Sequence, residues 1–169
     1  RPANRTFTIP IASPPNLAHP RLYGCRGEPM ADNFSEDVKI QQIAEAYALD
    51  AIDFARNFHL KLDWADNSVA KVESILDILF EQRAKARPTE EQVWGFAKML
   101  GSYVGEVYRK NHGATWGIIR MDGGEFPGLR ATTKEALFWP WSKVHKRLTN
   151  GPEDNVWHYY RHLVEQPAP

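Results

Sequence analysis

The sequence has a single cysteine, no long apolar run and no net charge, and each of these absences excludes a class of protein. Cys25 has no second cysteine with which to form an internal disulfide. No stretch approaches the roughly 18 consecutive apolar residues of a membrane-spanning helix. The 21 basic residues balance the 21 acidic ones, so the overall charge does not indicate nucleic-acid binding. We therefore expect a cytoplasmic protein that does not contact a membrane.

The sequence does contain enough apolar residues to form the core of one domain of ordinary size. A chain of 169 residues that is 43% apolar can bury a core without disulfides or metals. The charge is unevenly distributed along it. Counting Lys and Arg against Asp and Glu gives +3 for residues 1–29, −7 for residues 30–82 and +4 for residues 83–169. The middle of the chain is therefore acidic and the last part is weakly basic.

Residues 1–29 differ in composition from the rest of the chain. They hold six of the twelve prolines, and their apolar residues follow neither a helical nor an alternating period. We expect an irregular Pro-rich arm, followed by one domain over residues 30–169. Met30 is a candidate native start, which would make the arm upstream or non-native sequence. The arm also lacks the apolar core and cleavage site of a signal peptide.

The chain after Ser35 has the apolar period of a long amphipathic helix. Its apolar positions recur at steps of three or four: Ile40, Ile43, Tyr47, Ala51, Phe54 and Phe58. A second helix is expected to begin after residues 63–68, to run to about Gln82, and to be closed before Pro88. Asp63 and Asp66 lie at its start. We expect them to cap it rather than to act as an acid/base pair or bind a cation.

The third predicted helix has the clearest signals. Thr89 and Gln92 form a capping box at its start, and Gly113 is suited to end it. Inside it, Gly101 and Gly105 lie on one face, although each glycine costs a helix about 1 kcal/mol relative to alanine. This spacing predicts a stripe of small residues against which a neighbouring element packs closely.

After Gly113 the period changes to that of strands. The patterns predict three strands and two further helices, over Thr115–Met121, Phe126–Thr132, Ala136–Trp139, Ser142–Leu148 and Pro152–Glu165. The turn at residues 122–124 joins the first two strands. We therefore predict an α+β fold in which three N-terminal helices and two C-terminal helices pack on one face of a small three-stranded antiparallel sheet.

Several stretches resemble a group of small bacterial proteins known as domains of unknown function. The resemblance rests on Leu100–Arg109 and His112–Trp116, with the signature Leu-Gly-x-Tyr-x-Gly-Glu-Val followed by Gly-x-x-Trp. Phe138–Gly151 and Leu62–Glu73 also fit, and the resemblance spans about residues 32–166. It implies a small α+β domain without established catalytic residues. Some comparable bacterial proteins are immunity partners of secreted toxins, so the resemblance allows that role.

No motif for a metal, cofactor or nucleophile is present. His158 and His162 have the spacing of two metal ligands on one helix face, but His145 is the single candidate for a third. Ser102 lies within a helix and lacks the strand-to-turn context of a nucleophile. Neither the dinucleotide-binding nor the P-loop glycine spacing occurs. We expect no metal, no cofactor and solvated histidines.

Two main classes of function remain open, and an aromatic and basic surface that binds nucleic acid is a third alternative. The first is a non-enzymatic protein-binding domain whose acidic helical surface masks a cationic partner, such as a secreted toxin. The candidate binding residues are Glu45, Asp50, Asp53, Asp63, Asp66, Trp139, Trp141, Lys143 and Arg147. The second is a small enzyme that uses Glu106, His112 or His145 as acid or base in a pocket between sheet and helices.

Two structural roles are the alternatives to these functions: an ion pair and core packing. Glu106 is expected to form a structural ion pair with Arg109, Lys110 or a basic residue of the segment 143–147. The aromatic residues of the C-terminal half are interleaved with basic ones, as in a surface that binds single-stranded nucleic acid. We expect them mainly to form core: Trp116, Phe138, Trp139, Trp141, Trp157, Tyr159 and Tyr160.

Overall fold

The computed structural model describes residues 33–121, 123–133 and 136–165, and the Pro-rich arm, Met30 and Cys25 lie outside these ranges. Two 3-10 turns accompany the regular elements, Arg56–Phe58 after the first helix and Pro152–Asp154 before the last. In chain order the elements are β1 (Phe34–Glu36), α1 (Val38–Ala55), α2 (Ser68–Ala86), α3 (Glu90–His112), β2 (Ala114–Met121), β3 (Gly124–Ala131), β4 (Leu137–Phe138), α4 (Pro140–Asn150) and α5 (Val156–Glu165).

The sheet has four antiparallel strands in the order β1-β2-β3-β4. The α+β class is confirmed, but the prediction of three strands was wrong because it missed β1. Phe34 of β1 pairs with Ile119 of β2, and Leu129 of β3 pairs with Phe138 of β4. A strand of three residues is too short to show an alternating pattern.

The first helix buries small residues rather than the large ones expected. Its buried side chains are Ile40, Ala44, Ala48, Ala51 and Ala55. The predicted face was therefore only partly right, because Ile43, Tyr47, Phe54 and Phe58 are half-buried at its margins. A line of alanines lets α1 approach α3 closely. Alanine contributes little to an apolar period, so the sequence pattern does not reveal this stripe.

The third helix lies at the centre of the domain, and its predicted landmarks are confirmed. The Thr89 hydroxyl accepts from the Gln92 amide, and the Gln92 side chain accepts from the Thr89 amide. A Cβ on Gly101 would lie 2.8 Å from the Pro140 carbonyl oxygen, so the backbone of α4 packs directly on this glycine. Gly113 closes the helix at φ 78°. The small-residue stripe is therefore a packing surface.

The boundaries of the other elements depart from the expectations by a few residues. The side chain of Asn67, at the start of α2, makes no capping hydrogen bond. The carboxylate of Asp66 accepts from Tyr160 instead of capping the helix, so the predicted capping role of Asp66 was wrong. The fourth helix begins at Pro140, whose ring suits a first turn, rather than at Ser142. Pro152 opens a 3-10 turn rather than α5 itself.

A buried ion network joins α2, α4 and α5. The Nε atom of Arg147 lies 2.6 Å from Oε1 of Glu73, and its Nη2 donates to Asp77. The other oxygen of Glu73 accepts from the amide of Val156, the first residue of α5. Arg83 adds a contact by donating to the carbonyls of the last turn of α4. This network fixes the C-terminal helices onto α2.

Candidate functional site

The segment 60–67, which leads into α2, is held in a strained backbone conformation. Trp64 has φ 66°, a value that bulky residues rarely adopt. Its amide donates to the Tyr103 hydroxyl at 2.9 Å, and its carbonyl accepts from Asn111 at 2.9 Å. The indole also stacks on the Tyr103 ring, and the Lys110 ammonium lies 4.5 Å from its centroid. Strain held by several contacts is common at functional sites.

Asp66, two residues further on, is the hub of a polar cluster built from three elements. The Tyr160 hydroxyl of α5 donates to Oδ1 at 2.5 Å, and the Asn111 amide of α3 donates to the same oxygen at 2.9 Å. His112, the last residue of α3, places Nε2 at 3.1 Å from both carboxylate oxygens. The strained segment and the end of α3 thus converge on one carboxylate.

The hydrogen bonds decide the charge of this cluster. Burial by itself raises the pKa of Asp66, but the donors Tyr160, Asn111 and His112 together outweigh it and hold the pKa below its ordinary value. Burial raises the pKa of Tyr160, and the hydrogen bond to the neighbouring carboxylate raises it further. Asp66 is therefore an anion and Tyr160 a neutral donor over the ordinary pH range.

The three acid/base candidates have different surroundings. Glu106 is 1% exposed, accepts two hydrogen bonds from Arg109 and accepts a third from the Trp116 indole at 2.8 Å. The expected ion pair with Arg109 is confirmed, although Glu106 lies fully inside rather than at a margin. His145 bonds to Glu90 at 2.7 Å and stacks on an indole. His112 joins the cluster around Asp66, the carboxylate whose pKa is lowered.

The solvent face of α1 is the second candidate surface. Val38 is 71% exposed and Leu49 is 60% exposed, and they are the large apolar side chains most open to solvent in the described part of the chain. They lie three helical turns apart and so share a face. Asp50 and Asp53 are exposed beside Leu49. Glu45 is engaged with Arg109 at 3.0 Å.

The structure separates the other predicted binding residues. Trp141 is 4% exposed and Arg147 is fully buried, so neither can contact a partner, and their assignment to a binding surface was wrong. Lys143 forms an ion pair with Asp154 at 2.7 Å. Trp139 is half-buried, with its indole N–H enclosed and without a hydrogen-bond partner in the described residues. Asp63 is exposed and pairs with a lysine of α2.

The aromatic and basic interleaving in the sequence does not form one surface. Trp116, Phe138, Trp141 and Tyr160 are buried. Their burial confirms the core interpretation for these residues and removes them from any stacking platform for nucleic acid. Across residues 33–121, 123–133 and 136–165, no group of three His, Cys, Asp or Glu side chains is placed to hold a metal ion. The helices of those same ranges include none long and apolar enough to cross a membrane.

Within the described ranges, fold and site together define a small α+β domain with five helices, a four-stranded antiparallel sheet and a polar cluster at the end of its central helix. Comparison with protein families gives one match, described as "Domain of unknown function (DUF3806)", over residues 73–160. The match covers more than half of the chain, so the chain belongs to the DUF3806 family. None of the curated proteins or solved structures compared with the chain matches it.

The family match includes part of the polar cluster around Asp66 and none of the α1 surface. Residues 73–160 include Glu106, His112 and Tyr160, but they exclude Asp66 and all of α1. Sequence reasoning missed Tyr160 and Asn111 as members of the cluster. No sequence pattern could have identified Tyr160, because it lies 94 positions after Asp66 and no local spacing connects the two residues.

Proposed function

We propose that this chain is a non-enzymatic protein-binding domain that docks a cationic protein on the solvent face of α1. The observation that carries the proposal is the exposure of Val38 and Leu49 on one face of α1, with Asp50 and Asp53 exposed beside Leu49. A few desolvated side chains near the centre of an interface supply most of its affinity, and charges at its rim select the partner and speed its arrival.

The charge distribution supports a cationic partner. Residues 30–82 carry a net charge of −7, and α1 contributes three acids against one lysine. The ion pair between Asp53 and Arg56 is exposed on both sides, so it is weak and can be exchanged for a partner's cation. Glu45 is less available because it already contacts Arg109.

The resemblance to small bacterial proteins suggests what such a partner would be. We infer the role of an immunity protein that neutralises a secreted toxin in the cytoplasm. The proposed surface lies outside residues 73–160, so the family match neither supports nor opposes it. The docking surface would then be a property of this chain rather than of the matched family domain.

A growth experiment tests the immunity role. Cells that express a toxin encoded beside this gene should grow when the wild-type chain is co-expressed and should stop growing with D50K/D53K. The control variant E91K/E153K carries the same charge change at exposed acids away from α1 and should protect as well as the wild type. Absence of rescue by the wild-type chain would reject the immunity role, and equal rescue by D50K/D53K would reject the surface.

A further inference from the structure

The sheet carries a buried apolar row on the face opposite the central helix. Phe34 of β1 pairs with Ile119 of β2, and Ile119 pairs with Phe126 of β3, so the three side chains form one row across three strands. Their exposed fractions are 7%, 1% and 6%, and we call them the outer row. Trp116 of β2 lies against Gly105 of α3. Because side chains alternate along a strand, Ile119, three positions later, lies on the other face.

No described helix covers the outer row. The contiguous core contains Trp116 and residues of all five helices in the described ranges, but none of the outer row. The sheet itself covers the underside, since a Cβ on Gly117 would lie 2.7 Å from the Phe34 ring and one on Gly128 would lie 2.5 Å from Ile119. Neighbouring side chains of the same face cover only the flanks of the row. The 1% exposure of Ile119 therefore requires a further layer above it.

The segment that precedes β1 is suited to form this layer. Residues 1–32, the N-terminal segment, lead directly into Asn33 and Phe34 at one end of the outer row. The other parts of the chain outside the described ranges have at most four residues each. Four strands span about 15 Å. An extended chain covers that distance in about five residues, so the N-terminal segment is long enough to return across the whole face.

The chemistry of the face fits a Pro-rich occupant. Cδ1 of Trp139 would lie 3.3 Å from a Cβ on Gly128, so its indole lies on the same face as the outer row. The indole N–H is buried and has no hydrogen-bond partner in the described residues, and a buried donor requires an acceptor. Residues 1–29 hold six of the twelve prolines. Proline offers a carbonyl acceptor without an N–H donor, and Pro-rich segments dock on surfaces lined by aromatic rings.

We propose that the outer face of the sheet is an intramolecular docking surface for the N-terminal segment, with the Trp139 indole donating to a backbone carbonyl of that segment. This surface is separate from the face of α1 to which the proposed function assigns a partner protein. The competing site for the segment is that acidic α1 face, because residues 1–29 carry a net charge of +3.

Paramagnetic broadening of NMR signals by a spin label on Cys25 tests the proposal in the full chain. Cys25 is the single cysteine, so the label attaches to the N-terminal segment alone. We expect the signals of Ile119 and Phe126 to lose intensity and those of Leu49 on α1 to retain it. Loss at Leu49 in place of the outer row, or no preferential loss in either place, would overturn the proposal.

The variant R5S/R21S distinguishes apolar docking from electrostatic docking. It removes two charges of the N-terminal segment and should leave the broadening of Ile119 unchanged, because the outer row is apolar. Disappearance of the broadening would contradict the proposal. Spin-labelled chain mixed with unlabelled 15N chain should leave the 15N signals unbroadened. Broadening of Ile119 in that mixture would assign the face to a second copy of the chain and overturn the intramolecular assignment.

The role of the indole donor has a matched pair of variants. W139F keeps an aromatic ring but removes the N–H, so it should reduce the broadening of Ile119, whereas W94F, at a half-buried indole of α3, should not. Equal effects of the two variants would contradict the proposed hydrogen bond. A label moved along the segment in C25S/A12C tests whether the probe itself disturbs docking. Failure of both labels to broaden the outer row would reject the docking surface.

Discussion

At the scale of single residues, the stability of the domain depends on positions where close packing or a buried charge permits no other side chain. Gly101 of α3 has the backbone of α4 against it, and Glu106 has three donors on a carboxylate that solvent does not reach. Both lie on the same central helix. Their substitution should therefore be costly, whereas Gly95 of the same helix and the more exposed Glu45 should tolerate it.

Gly101→Ala should destabilise the domain, because its Cβ would lie 2.8 Å from the Pro140 carbonyl oxygen and 2.9 Å from the Trp141 Cα. Backbone atoms cannot rotate away, so we expect a loss of about 1–3 kcal/mol in the free energy of unfolding. A Cβ added to Gly95 of the same helix would have no atom within 4 Å of it. Gly95→Ala should stabilise by up to about 1 kcal/mol. Urea denaturation measures both, and equal effects would contradict the packing argument.

Glu106→Gln should cost about 3 kcal/mol of unfolding free energy, because Arg109 loses its main carboxylate partner and the half-buried guanidinium is left poorly paired. The hydrogen bonding that Arg109 donates to Glu106 is also the first cause of the raised pKa of Arg109. Glu45→Gln removes the more exposed partner of the same arginine and should cost less than about 1 kcal/mol. Chemical denaturation of the two variants distinguishes the two carboxylates, and similar losses would refute the assignment.

At the scale of elements, the C-terminal helices are held by ions rather than by apolar contact alone. Glu73 on α2 accepts from Arg147 on α4 and from the first amide of α5. The three elements therefore share one carboxylate. Loss of the Glu73 carboxylate should loosen α5 first, because the first amide of α5 donates a hydrogen bond to this carboxylate.

Glu73→Gln should lower the free energy of unfolding by about 3 kcal/mol and speed hydrogen exchange within α5, because Arg147 loses its buried carboxylate partner and keeps only the more exposed Asp77. The double variant E73L/R147M should be less destabilised than Glu73→Gln alone, since it leaves no buried charge unpaired. Asp53→Asn, which removes an exposed pair, should change stability by less than about 1 kcal/mol. A double variant weaker than the single one would contradict this account.

The elements also show how far the sequence could be interpreted. The capping box at Thr89, the small stripe at Gly101 and the end at Gly113 were predictable because each is a local signal on one helix. Strand β1 was too short to show a period. The burial of Arg147 and the cluster around Asp66 depend on contacts across 45 to 94 positions of sequence, and local patterns contain no information about such contacts.

At the scale of the whole molecule, stability should fall in acid through carboxylates whose pKa is lowered on folding. The pKa of Asp66 lies below its ordinary value of 3.8, despite burial, because of its three donors. The lowered pKa stabilises the fold above the unfolded value, and this contribution disappears as pH falls through the folded value. Asp154 behaves similarly through Lys143 and Asn150.

The wild-type chain should therefore lose more stability between pH 7 and pH 3 than D66N does. Their difference in unfolding free energy should be largest near neutral pH and should shrink below the ordinary carboxyl pKa of 3.8. Denaturation curves at several pH values provide the measurement. A difference between the two proteins that stays constant with pH would show that Asp66 is not the anion that the cluster requires.

The central claim, that the face of α1 with Leu49, Asp50 and Asp53 docks a cationic protein, is tested most directly by an affinity measurement. Calorimetric titration with a purified cationic toxin encoded beside this gene should give a dissociation constant that D50K/D53K raises at least about 10-fold, or about 1.4 kcal/mol. L49A should also weaken binding, whereas E91K/E153K should not. Unchanged affinity in both α1 variants, or no binding by the wild type, would contradict the claim.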